Sequence, residues 1–246
     1  MLSKFTLQIL KTRMNFYIIE SLKTTNAWHY NEIILDGKYD WTYPPLCPHC
    51  GRQLRRYVSE PLNIDMDIAQ PYFCDIIYDY EFIYVTELFR SLFEKSGLKG
   101  IENFREVTLN KIKTYNGVRK AKLPEPPPYY LADVVVDGAA IDLKKSKAVF
   151  EWPDFCHYCM GPTDPHDEDG GNLGLVKYNG YYIDRSRWNG NSIFVALGVA
   201  CQYAVDQRFK EWFESNHLKT GCQFLPEQDS FLDETDEEMT NTYTVE

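Results

Sequence analysis

Two stretches of the chain place apolar residues at the spacing of one helix face. Leu88, Phe89, Leu92 and Phe93 form the first set, and Phe209, Trp212 and Phe213 the second. Thr86 and Asp206 stand where N-caps belong, since a short side-chain oxygen can take up an unpaired N–H of the first turn. Gly97 is the expected stop of the first helix, and Asn216–His217 stands at that place in the second. The two runs align at a constant offset of 120 (205 minus 85). Val85 falls on Val205, Phe89 on Phe209, Phe93 on Phe213, Glu94 on Glu214, Leu98 on Leu218, and Phe104 on Phe224. Similarity at fixed spacing predicts two copies of one supersecondary unit. A short strand is expected after each helix, over 100–107 and 221–225. Further strands are expected over 15–19, 131–136 and 147–152, where branched and aromatic residues cluster.

Punctuation divides the chain around these units. Residues 111–130 read as a connector, with Pro124, Pro126, Pro127 and Pro128 removing donors and holding an extended course. The stretch 161–171 is rich in Gly, Pro and Asp and reads as a loop inserted in the second copy. The expected organisation is a first unit over 14–110, the connector 111–130, and a second unit over 131–226. An acidic, disordered tail is expected over 227–246, and 1–13 reads as a loose extension or a mis-assigned start ahead of Met14. The fold class expected is α+β (mixed α/β): two related strand-rich units, each with one main amphipathic helix.

Charge changes the picture mainly at the end. The formal net charge is -10, and the tail alone holds eight acids (Glu227, Asp229, Asp233, Glu234, Asp236, Glu237, Glu238, Glu246) with no Lys or Arg. The remainder is therefore near -2 (-10 plus 8), too balanced for a basic nucleic-acid-binding face. No run reaches the ~18 apolar residues of a membrane span. A cytoplasmic location is expected, the apolar piece over 5–10 being short for a signal-peptide core, and seven cysteines, four of them in close pairs, suit a reducing compartment.

Those pairs carry the chemistry. Cys47-Pro-His-Cys50-Gly51 and Cys156-His-Tyr-Cys159-Met-Gly161 have the spacing that lets two thiolates reach one ion from a tight turn. A glycine just after the second Cys permits a positive φ; in the second pair it is delayed by one. Together Cys47, Cys50, Cys156 and Cys159 supply a closed set of four ligands for one structural zinc ion shared by the two units. His49 and His157 are spare ligands within the pairs. Asp164, His166, Asp167, Glu168 and Asp169 form an acidic cluster that lacks the spacing of a calcium loop and reads as solvated. Cys74, Cys201 and Cys222 sit in apolar surroundings and read as core residues. No phosphate loop, nucleophile elbow, zinc-protease motif or dinucleotide fingerprint occurs, and the expectation is a protein that is not an enzyme.

The paired knuckles, the Val85-Thr86-Glu87 helix running on to Phe104, the stretch Val205 to Leu225, and Trp188-x-Gly190-x-Ser192-Ile193-Phe194 together resemble the double-CxxCG-motif family. That family is similar to immunity proteins encoded beside bacterial contact-delivered or polymorphic toxins. The resemblance implies a zinc-stabilised, non-catalytic protein that neutralises a cognate toxin by binding it, a toxin–antitoxin-like pairing. Tyr129, Tyr130, Tyr181, Tyr182 and Trp188 suit either such an interface or the core. Two other readings stay open. Arg52, Arg55 and Arg56 behind the first knuckle fit a zinc-ribbon-like nucleic-acid-binding or regulatory module. Cys47-Pro-His-Cys50 fits a thiol–disulfide oxidoreductase, provided that a helix begins at the motif.

Overall fold

The computed structural model describes residues 14–21, 32–40, 43–68, 70–79, 81–114, 123–150, 154–161, 175–198, 202–233 and 243–244. The segment 1–13 and most of the loop over 161–171 lie outside the described residues. The fold is mixed α+β and strand-rich, with two α-helices among the described residues. Strands β1 (Phe16–Ser21), β2 (Glu32–Tyr39), β3 (Val58–Ile68), β4 (Ile76–Tyr78) and β5 (Ile83–Thr86) precede helix α1 (Glu87–Ser96). Next come β6 (Ile101–Thr114), β7 (Tyr129–Val134), β8 (Val136–Ala140), β9 (Val149–Phe150) and β10 (Leu175–Asn179). Strands β11 (Ile193–Leu197) and β12 (Gln202–Asp206) then enter helix α2 (Gln207–Ser215). Strand β13 (Cys222–Pro226), a 3-10 turn at Glu227–Asp229, β14 (Phe231–Asp233) and β15 (Tyr243–Thr244) follow.

Three sheets result, in the orders β13-β1-β12-β11-β8, β2-β3-β6-β7-β5-β4 and β14-β10-β9-β15. Strand alternation sends neighbouring residues to opposite faces. In β1, Phe16 and Ile18 therefore join one core with Phe194 and Trp188, while Ile19 joins a second core with both helices. In β7, Ala132 and Val134 face that same second core, while Tyr129 and Leu131 join a third with β3. The two large sheets thus share a middle layer that holds Phe89, Phe93, Phe209 and Phe213, and each covers a further core on its other face.

The surroundings of the helices match residue by residue. Thr86 caps α1 by accepting from the Phe89 N–H at 3.3 Å, and Asp206 caps α2 by accepting from the Phe209 N–H at 3.0 Å. Gly97 ends α1 at φ 75°, and His217 takes φ 54° at the corresponding place after α2. In one sheet Thr86 lies opposite Tyr129 and Phe104 opposite Ala132; in the other Asp206 lies opposite Phe16 and Phe224 opposite Ile19. The Asp75 and Ile76 N–H groups donate to the Lys219 carbonyl, and those of Ser192 and Ile193 donate to the Lys99 carbonyl.

Two expectations need correction. The strand after α1 is not short: β6 runs to Thr114 because its second half pairs in parallel with β3. The acidic stretch is in part built into the fold. Glu227 is 5% exposed, accepting from the Ile183 N–H and pairing with Arg185 at 2.6 Å, while β14 pairs with β10 and β15 with β9. Residues 234–242 lie outside the described residues. Of the aromatics left open between interface and core, Tyr129, Tyr181 and Trp188 are core residues, each at most 2% exposed, while Tyr130 and Tyr182 are half-buried.

Candidate metal centre

Each Cys-x-x-Cys pair sits in a tight turn closed by backbone bonds. The Cys47 N–H donates to the Arg52 carbonyl at 2.6 Å and the Gly51 N–H to the Cys47 carbonyl at 2.9 Å. At an offset of 109, the Cys156 N–H donates to the Gly161 carbonyl at 2.7 Å and the Met160 N–H to the Cys156 carbonyl at 2.7 Å. The turn needs a positive φ at its fifth residue, which Gly51 supplies at 76° and Met160 at 62°. The displaced glycine of the second pair is thereby explained: Met160 takes the left-handed conformation itself, and its burial at 7% exposure in the first core holds it there. At Gly51 an added Cβ meets nothing within 4 Å, so Gly51→Ala is expected to cost backbone strain alone. A loss of about 1 kcal/mol in chemical denaturation is the expected outcome.

The turns bring the four sulfurs together. Cys47 Sγ lies 3.7 Å from Cys156 Sγ, Cys50 Sγ lies 3.6 Å from Cys159 Sγ, and all four lie within 4.8 Å of one another. A tetrahedron with Zn–S bonds of ~2.3 Å has edges of about 3.8 Å, so the donor set fits a single four-coordinate ion. Cys47, Cys156 and Cys159 are buried, at 3%, 6% and 6% exposure, whereas Cys50 is exposed. Backbone N–H groups point at the sulfurs, that of Arg52 at Cys50, those of Tyr158 and Cys159 at Cys156, and that of Gly161 at Cys159. For Cys156, burial raises the thiol pKa, but these N–H groups and the neighbouring thiols outweigh it and lower the value to about 7. For Cys159, burial dominates and holds the thiol well above its ordinary range. A cation among the sulfurs would offset the repulsion between the four thiolates. The four cysteines are thus compatible with a metal site, closed and without a coordination position for substrate.

The surroundings tie one turn to the other. The His49 ring stacks on Tyr158 at 4.9 Å, and Arg187 lies over the same Tyr158 ring while donating to its carbonyl at 2.8 Å. The Arg52 side chain packs against Gly161, with its Cδ 3.0 Å from where a Cβ would stand. His49 and His157 remain outside the sulfur cluster, His157 packing on Phe155 at 5.1 Å. Cys74 and Cys222 are fully buried elsewhere, and burial pushes the Cys222 thiol up to about 12. Cys201 and the acidic cluster Asp164, His166, Asp167, Glu168 and Asp169 lie outside the described residues.

The basic patch expected behind the first knuckle is not formed. Arg55 is 8% exposed and donates to the Val134 carbonyl at 2.6 Å, Arg56 pairs with Glu81, and Arg52 covers Gly161. Nor does a helix start at Cys47: residues 48–50 form a turn and Leu46 bridges to Gln53 across it. The Tyr158–His49 and Arg187 contacts were not anticipated. Aligning the pairs at the 109 offset sets Met160 on Gly51, the sequence signal that could have revealed the equivalent turn. No helix among the described residues is long and apolar enough to cross a membrane. A scan against protein-family models gives no match, and neither does a search of the curated proteins.

Proposed function

We propose that the chain is a non-catalytic, cytoplasmic immunity protein that binds and neutralises a cognate bacterial toxin, its fold held by one structural zinc ion on Cys47, Cys50, Cys156 and Cys159. The observation that carries the reading is that the motifs resembling the double-CxxCG family are the residues that build the sulfur cluster and the paired helices. The donor set supports zinc: four thiols, spacings of 3.6 and 3.7 Å across the two turns, and backbone N–H groups aimed at the sulfurs. A closed site of this kind supplies folding energy, with no position left for chemistry.

The architecture belongs to the same proposal. Each of two related units contributes a knuckle, a helix and the strand after it, and the matching registers around α1 and α2 support their kinship. The central strands are exchanged between units. β1, ahead of the first knuckle, lies between β12 and β13, and β7, ahead of the second knuckle, lies between β5 and β6. The zinc then joins the units again at the knuckles. Of the arginines that would serve a nucleic-acid-binding module, Arg55 and Arg56 have protein partners, and the turn at Cys47 lacks the helix that a thiol–disulfide enzyme would use.

The test is bacterial survival on expression of the neighbouring gene's product, with and without this chain. Rescue through a complex that co-purifies is the expected outcome. A toxic neighbour that this chain neither binds nor neutralises would overturn the immunity reading.

A further inference from the structure

The two knuckles are matched in backbone but not in cover. Cys159, the counterpart of Cys50 at the 109 offset, is 6% exposed, with Met160, Tyr158 and Arg187 around its turn. On the first knuckle Pro48, His49, Cys50 and Gly51 are all exposed. Cys50 is thus the exposed residue among the four, and its sulfur stands 3.6 Å from a buried partner on the opposite knuckle.

We propose that Cys50 is the modification site of the cluster, the sulfur that peroxides and soft thiol-directed electrophiles reach first, and that peroxide oxidation joins it to Cys159. The inference rests on the four-thiol metal reading for its consequence, metal release, and on geometry alone for its site. In the first step the Cys50 thiolate attacks one peroxide oxygen and the O–O bond breaks. Cys50 becomes a sulfenic acid and the second oxygen leaves as hydroxide, which is protonated to water. In the second step the Cys159 sulfur attacks Cys50 Sγ, the S–S bond forms and the S–O bond breaks, and the Cys159 thiol proton leaves with the departing hydroxide as water. The two sulfurs together give up two electrons, one peroxide is reduced to two waters, and one proton is taken from solution in the first step. A zinc ion held by the four sulfurs would lose two ligands at once, because zinc is held by thiolate and not by disulfide.

The experiment uses the full chain as purified, with its metal content measured first. Substoichiometric N-ethylmaleimide followed by peptide mapping is expected to place the first adduct on Cys50, at least about tenfold over Cys47, Cys156 or Cys159. Hydrogen peroxide is expected to yield a Cys50–Cys159 disulfide with one equivalent of zinc released per disulfide, read by a chromogenic chelator. Adducts spread evenly over the four cysteines, or first on a buried one, overturn the assignment. So does a peroxide-induced disulfide within one knuckle. Cys50→Ser is expected to lose the fast labelling phase; should that variant not fold, the wild-type map still decides. Metal-free protein as purified would sink the zinc reading, while the labelling map would judge Cys50 by itself.

Discussion

Replacing Cys156 with serine is expected to lower the thermal midpoint by at least ~10 °C, on the scale of 2–4 °C per kcal/mol for a chain of this length. It should also abolish the stoichiometric binding of one zinc ion. Cys156 is buried at 6% exposure, and its Sγ lies 3.7 Å from Cys47 on the other knuckle. Serine keeps the volume but cannot supply a thiolate, so the closed set becomes three ligands and an alcohol. Zinc binding to small four-ligand sites is worth roughly 10–16 kcal/mol in peptides, against net domain stabilities of about 5–15 kcal/mol. Losing even a third of that dominates any packing change at the site. An ion held there would also tie residues 50 and 156 across a span of 106 (156 minus 50), a closure that costs about 4 kcal/mol of chain entropy by the logarithmic rule. A chelator should reproduce the loss in the wild-type chain and add nothing to the Cys156→Ser variant. A variant that melts with the wild type, beside a wild type indifferent to chelation, would mean that the sulfurs hold no ion.

The parts of this fold that were legible in the sequence are those with a local cause. Helices α1 and α2 announce themselves through a Phe on every fourth position and through Thr86 and Asp206 at their caps, and the structure places both caps there. The Cys-x-x-Cys pairs were legible because the turn chemistry is confined to five residues. Non-local causes left no such mark. Nothing in the letters of β1 says that it pairs with β12 and β13, far along the chain, when nearer strands offer the same pleat. Residues 227–233 look solvated by charge, yet the Glu227 carboxylate is wanted inside by the Ile183 N–H and Arg185. The arginines after the first knuckle look like a patch because their partners, Val134 and Glu81, are remote in sequence. Burial of a charged side chain is decided by whether a partner arrives, and sequence order does not tell that.

Phe89→Ala and Phe209→Ala are each expected to cost about 3–5 kcal/mol in chemical denaturation, and by similar amounts. Both rings are 0% exposed and lie 6.2 Å apart at the meeting of α1 and α2. Each holds the same post in its helix, third after the cap, with its N–H given to the capping side chain. The contacts are reciprocal: Phe89 meets Phe213 at 6.5 Å and Phe93 meets Phe209 at 6.4 Å, while each of Phe89 and Phe209 packs on the next Phe of its own helix. Truncating either ring opens a cavity under rigid neighbours, including Trp212 at 5.3 Å from Phe89 and Phe224 at 6.0 Å from Phe209. Because the two rings share that space, the second truncation enlarges a hole that already exists. The double variant should therefore fall short of the sum by 0.5 kcal/mol or more, a coupling of the size found between residues in contact. Strict additivity would mean that the helices stand apart in solution. A loss below about 1 kcal/mol at Phe209 alone would mean that α2 is not seated in the shared middle layer, and the pairing of the two helices would fall with it.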